Sequence, residues 1–129
     1  MTTSKTIRIV VADDSSILRE VVLRYLGKVS NFEVVAECED GEQTIAAVKA
    51  FIPDVLLLDI SMPVLDGVGV LKYLKNLSEY PTKTVVLTGY ADRDIQEQCY
   101  ANGAFICVEK GAPFSEIIES IKRAGDVAE

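Results

Sequence analysis

The chain has 129 residues, 49% of them apolar and 26% charged, a balance that suits a globular domain large enough to bury a core of its own. Twenty acidic against thirteen basic side chains leave a net charge of −7, which argues against direct contact with nucleic acid. No apolar run approaches the ~20 residues of a membrane helix, and the start "MTTSKTIRIV" lacks a signal pattern, so a cytoplasmic protein without membrane contact is expected.

The first element, "TIRIVVA" (6–12), is short and β-branched and reads as a strand. It runs into Asp13 and Asp14. In residues 15–29, Leu18, Val21, Val22, Tyr25, Leu26 and Val29 recur at helical spacing, with Arg19, Glu20, Arg24 and Lys28 on the opposite side. "FEVVAEC" (32–38) gives a second strand, and Ile45, Val48 and Ile52 mark a second helix stopped by Pro53. "DVLLLD" (54–59) is a third strand; "LDG" then leads into a helix lined by Leu71, Leu74 and Leu77. After the fourth strand, "KTVVLT" (83–88), residues 92–101 form the most weakly anchored helix, with Ile95 and Cys99 as its apolar contacts and "NG" at its close. "AFICVE" (104–109) is the fifth strand. Pro113 suits the first turn of a last helix lined by Phe114, Ile117, Ile118 and Ile121.

Strand and helix alternate five times, which predicts right-handed βαβ units and a parallel sheet with helices on both faces. A run such as "VLLL" suits a sheet covered on both sides. With no linker or repeat in view, we expect one domain over residues 1–129 with its core at about 6–124. The cysteines Cys38, Cys99 and Cys107 are widely spaced in a chain with no histidine, which excludes a Cys/His zinc site and suits small buried thiols in a reducing compartment.

Open parallel sheets bind ligands beyond the carboxyl ends of their strands. Here those ends carry Asp13 and Asp14, Asp59, Thr88 and, just past the fifth strand, Lys110. Like charges brought that close repel by about 4 kcal/mol per pair at an effective dielectric of 20. Lys110 offsets part of this, and a hard divalent cation such as Mg²⁺ would offset more. A carboxylate in such surroundings can attack phosphorus, which makes Asp59 a candidate nucleophile, with Thr88 and Lys110 stabilising the transferring group. Asp14 and Ser15 could alternatively serve as helix N-caps, and Asp66 reads simply as one.

"VVADDS" at 10–15, "LLLDISMPVLDG" at 56–67, "VVLTG" at 85–89 and "NGAFICVEKG" at 102–111 together resemble the receiver domain of bacterial two-component response regulators. The resemblance runs from residue 7 to about 124. It implies a flavodoxin-like (βα)5 three-layer sandwich with a five-stranded parallel sheet of order 2-1-3-4-5. It implies Asp59 as phosphoacceptor, supplied by a histidine kinase or a histidine phosphotransfer protein. Asp14 would ligate Mg²⁺ directly, Asp13 would assist through water, and the Ser61 backbone carbonyl would complete the protein's share. Thr88 and Lys110 would bind the phosphoryl oxygens and move the loop after the fourth strand, changing the surface of the fourth helix, fifth strand and fifth helix. Such a domain is not a turnover enzyme: it catalyses its own phosphorylation and a slow autodephosphorylation. Its output would pass to a downstream target protein or to an effector domain outside this sequence, and the resemblance admits a homodimer through the fourth and fifth helices.

The sequence departs from the family pattern at three places. Cys107 stands where an aromatic switch residue is usual, with Tyr90 or Phe105 as candidate substitutes. Gly89 follows Thr88 in place of the usual alanine, and Gly111 replaces the proline after Lys110, so no cis peptide is expected there. Ser61 and Tyr90 flank the pocket and would set the lifetime of the acyl phosphate. Two other readings compete. One is a haloacid-dehalogenase-type Mg²⁺-dependent phosphatase, which would need an aspartate where Ser61 stands. The other is a receiver-like scaffold that is never phosphorylated.

Overall fold

Each strand sends its apolar side chains alternately to two helical layers, and that alternation organises the molecule. The computed structural model describes residues 5–60, 62, 66–77, 81–89 and 93–126. Strands β1 (Ile7–Ala12), β2 (Phe32–Cys38), β3 (Val55–Asp59), β4 (Lys83–Thr88) and β5 (Ile106–Glu109) form one parallel sheet of order β2-β1-β3-β4-β5. Helices α1 (Ser16–Leu26), α2 (Gly41–Phe51), α3 (Gly67–Lys75), α4 (Arg93–Ala101) and α5 (Phe114–Asp126) connect and cover it. Val55 and Leu57 of β3 pack with Val22 and Leu26 of α1 and with Ile117 and Ile121 of α5. Their neighbours Leu56 and Leu58 pack on the other face, with Val48 of α2, Val70 and Leu71 of α3 and Cys99 of α4. A strand buried on both faces has no polar side to show, which is why "VLLL" reads as an unbroken apolar run. This is the flavodoxin-like arrangement expected from the resemblance.

Three details differ from the sequence reading, the ends of two helices and the place of Ile52: α3 stops at Lys75, so Leu77 lies beyond the helix it was expected to line. Helix α1 stops at Leu26, capped by Gly27, and of its apolar stripe only Val22 and Leu26 are fully buried. Leu18 and Tyr25 are exposed, although the Tyr25 ring stacks on Phe114 of α5 at 4.2 Å between centroids. Ile52 is not on a helical face but is the left-handed cap of α2, at φ 45°. The weakest sequence prediction, α4, forms with Cys99 fully buried and Ile95 half-buried. Gly103, at φ 96°, follows it in a turn that favours glycine.

The α2 terminus is held from β1. The Arg8 guanidinium donates from Nη1 to the carbonyls of Phe51 (2.7 Å) and Ile52 (3.3 Å), filling acceptors that a helix end leaves open. A β-branched residue at positive φ is strained, by about 1–2 kcal/mol. Ile52 is also half-exposed, so it loses little burial on replacement. Ile52→Asn is therefore expected to stabilise the protein by roughly 0.5–1 kcal/mol, read as a higher midpoint in a denaturant titration.

At the other edge of the sheet, the outward-facing N–H of Cys107 in β5 donates to the Tyr100 hydroxyl of α4 at 3.0 Å. Cys107 itself is half-buried and belongs to the α4 side of the sheet, whereas Phe105 packs on the α5 side. Burial pushes the Cys99 thiol up to about 12 and the Cys38 thiol up to about 11. Burial also raises the Cys107 thiol, so all three stay protonated at neutral pH, as expected of packing residues. Among the described residues no helix is long and apolar enough to cross a membrane.

Candidate functional site

The register of the sheet brings the polar strand ends together. Ala12 pairs with Leu58, so Asp13 follows β1 at the level where Asp59 ends β3; Asp59 in turn pairs with Leu87, one residue before Thr88. Lys110 comes directly after β5, and its N–H donates to the Thr88 carbonyl at 2.7 Å. Five residues from four strand ends thus share one rim.

One carboxylate oxygen from each of Asp13, Asp14 and Asp59 lies within 4.8 Å of the others. Asp59 is fully buried and Asp13 nearly so, while Asp14 faces solvent. Lys110 Nζ sits 2.9 Å from Asp59 Oδ1, and this contact explains how a buried strand can finish on a charge. Burial first, then the neighbouring Asp59 and Asp14, raise the Asp13 carboxyl above its ordinary value, against the lowering effect of the Ser15 N–H and Lys110. Three hard oxygen donors converging in this way match the preference of Mg²⁺ for carboxylate and water oxygens. The Thr88 hydroxyl is buried at the same rim and has no hydrogen-bond partner among the described residues, which leaves a donor available for a ligand.

The capping question resolves at Ser15. Its Oγ accepts from the Leu18 N–H (3.2 Å), and its own N–H donates to Asp13 Oδ1 (2.9 Å). Helix α1 therefore does not use Asp14 as its cap. Asp66 does cap α3, accepting from the Gly69 N–H at 2.9 Å. Ser61 and Tyr90, both named from the sequence, lie outside the described residues. Cys107 stands on β5 two residues before its end, bonded through its backbone to Tyr100 rather than directed at the acidic rim.

Two residues that sequence reasoning passed over make close contacts beside the site. Arg19, assigned to the polar side of α1, is half-buried and reaches the Asp13 carbonyl with Nη1 at 2.6 Å. Gly67, which opens α3, presses against the end of β3: an added Cβ would lie 2.6 Å from Ile60 Cα and 3.0 Å from Asp59 O. The "DG" dipeptide signalled the turn but not this close approach. Gly67→Ala must displace the backbone beside Asp59, at a cost of about 1–3 kcal/mol. Chemical denaturation should show that loss as a lower midpoint.

Comparison with known proteins gives a consistent result. The family profile described as "Response regulator receiver domain" matches residues 9–122. The chain is 33% identical over 115 residues to the "Probable transcriptional regulatory protein NarL" of Mycobacterium tuberculosis, covering 89% of this chain and 53% of that protein. It is 37% identical over 117 residues to "Transcriptional regulatory protein DegU" of Brevibacillus brevis, covering 90% and 49%. The chain therefore spans about half the length of these curated relatives. Among solved structures, the receiver domain of the Mycobacterium tuberculosis response regulator NarL superposes with a TM-score of 0.90 at 31% identity, covering 95% of this chain and 98% of that one. The response regulator domain of Thermotoga maritima CheB gives 0.86 at 26% identity, covering 95% and 98%. Fold, strand order, acidic rim and family profile agree, and the chain belongs to the response regulator receiver domains.

Proposed function

We propose that this chain is a single receiver domain in which Asp59 takes a phosphoryl group from the phosphohistidine of a histidine kinase or phosphotransfer protein. A carboxylate oxygen of Asp59 forms the new bond to phosphorus as the donor's P–N bond breaks, and the leaving imidazole takes up a proton. Asp13, Asp14 and Asp59 would hold Mg²⁺, with the Ser61 carbonyl as a further ligand. Once bound, the ion would neutralise charge on the transferring group. Lys110 supplies positive charge on the same side, and the Thr88 hydroxyl donates to a phosphoryl oxygen. The observation that carries this reading is the fully buried Asp59 carboxylate, 2.9 Å from Lys110 and within 4.8 Å of two further carboxylates.

Phosphorylation would pull Thr88 toward the acyl phosphate and shift the segment between β4 and α4. That shift changes the face formed by α4, β5 and α5, where a target protein, an effector domain or a second copy of the chain would read it. Ser61 and Tyr90 are proposed to tune the phosphate's lifetime. The family profile supports a phosphoacceptor rather than a turnover enzyme, and the phosphatase and silent-scaffold readings gain nothing from it. The direct test is intact-mass analysis after incubation with a small phosphodonor such as acetyl phosphate. One added phosphoryl group that requires Mg²⁺ is expected; none under any condition would overturn the reading.

A further inference from the structure

Arg19 looks like a surface residue by its place on α1 but does not behave as one. Its side chain is only 16% exposed, and it spans three elements. Nη1 donates to the Asp13 carbonyl at 2.6 Å, and Nε lies 3.5 Å from Glu37 Oε1 on β2. The contact with Glu37 is an ion pair and not a hydrogen bond, since Nε has no hydrogen-bond partner among the described residues. Two further polar groups of Asp13 are also engaged: its N–H donates to the Cys38 carbonyl at 3.0 Å, and Oδ1 accepts from the Ser15 N–H at 2.9 Å. Arg19 therefore adds the Asp13 carbonyl to the engaged groups of a segment that carries two of the three clustered carboxylates.

We propose that Arg19 is a positioning residue for the acidic site, clamping the backbone of Asp13 so that the Asp13 and Asp14 carboxylates stay beside Asp59. The need for such a clamp is electrostatic. Mutual repulsion pushes the three carboxylates apart, and Asp13 and Asp14 lie just past the end of β1 rather than within the sheet. A guanidinium suits the task because its rigid planar fork faces two partners in different directions at once, the Asp13 carbonyl and the Glu37 carboxylate; an ammonium is a compact charge with no such fixed fork. Glu37 is half-exposed, so its pairing orients Arg19 more than it stabilises the fold.

The proposal rests on the phosphoacceptor reading above, and the test separates the two. In the full chain, Arg19→Met should weaken Mg²⁺ binding roughly tenfold or more, the size of effect seen when a residue supporting metal ligands is lost. Calorimetry measures the affinity, and the rate of uptake from acetyl phosphate should fall in parallel. Arg19→Lys should recover part of the affinity. A purely structural role would lower the melting temperature of the metal-free protein and leave the Mg²⁺ affinity unchanged. If wild type binds Mg²⁺ and Arg19→Met binds it equally well, the positioning role is overturned and the phosphoacceptor reading survives. If wild type takes neither Mg²⁺ nor phosphoryl group, both fall. Should Arg19→Met fail to fold, Arg19→Lys carries the test alone, and an affinity equal to wild type overturns the proposal.

Discussion

Asp59→Asn is expected to abolish phosphoryl uptake and to leave the fold as stable as before, or more so. The first effect is chemical, because an amide nitrogen or oxygen is a poor nucleophile toward phosphorus. The second is a balance of charges. At an effective dielectric of 20, the attraction of Asp59 to Lys110 is on the order of 6 kcal/mol. Repulsion from Asp13 and Asp14 comes to about 3 kcal/mol each at that dielectric, with the Asp14 share cut by solvent. Burying the Asp59 carboxylate adds a desolvation cost that the amide largely avoids. Lys110, left behind, is not stranded: its side chain is 29% exposed. The opposing terms nearly cancel before desolvation enters, and desolvation tips the sum toward the neutral side chain. The measurement is a labelled phosphodonor on wild type and variant, together with their thermal melts. Labelling of Asp59→Asn at the wild-type rate would mean that another residue is the acceptor.

The second large effect is that of Mg²⁺ on stability. A ligand that binds only the folded form at a hundred times its Kd contributes about 2.7 kcal/mol. For a chain of this length that corresponds to a rise in melting temperature of about 10 °C. The rise should vanish in Asp14→Asn, which removes one of the proposed ligands and leaves the helix cap at Ser15 intact. Asp13 has a sign of its own in the metal-free protein. Because its carboxyl is raised in the fold, its contribution to stability is fully present below the ordinary value of 3.8 and is lost as the pH rises through the raised folded value. At neutral pH without metal, Asp13→Asn should therefore melt higher than wild type, and with Mg²⁺ the order should reverse. A wild type whose melt ignores millimolar Mg²⁺ would remove the metal from the mechanism.

The sequence displays the scaffold well because the scaffold is periodic. β-branched runs of five to seven residues, such as the one that became β4, leave little choice but a buried strand, and the spacing of Ile117 and Ile121 leaves little but a helix. The acidic rim was equally visible, since parallel strands deliver their last residues to the same edge. Periodicity fails where a side chain is long or a contact is made by the backbone. It sorted Arg19 to the solvent side from the direction of its Cα–Cβ bond, although three methylenes carry the guanidinium back under the β1–α1 turn. It counted Ile52 as one more apolar helical position, because nothing in hydropathy records a left-handed cap. It gave no notice of Gly67, whose importance lies in an atom it lacks.

The hydroxyl that Tyr100 lends to β5 carries a consequence for behaviour at high concentration. β5 is the last strand of its sheet, and its free side is where a foreign peptide could add itself by main-chain pairing. With the outward Cys107 amide already engaged, that flank offers one docking point fewer to a stray strand, and a phenylalanine at position 100 would restore it.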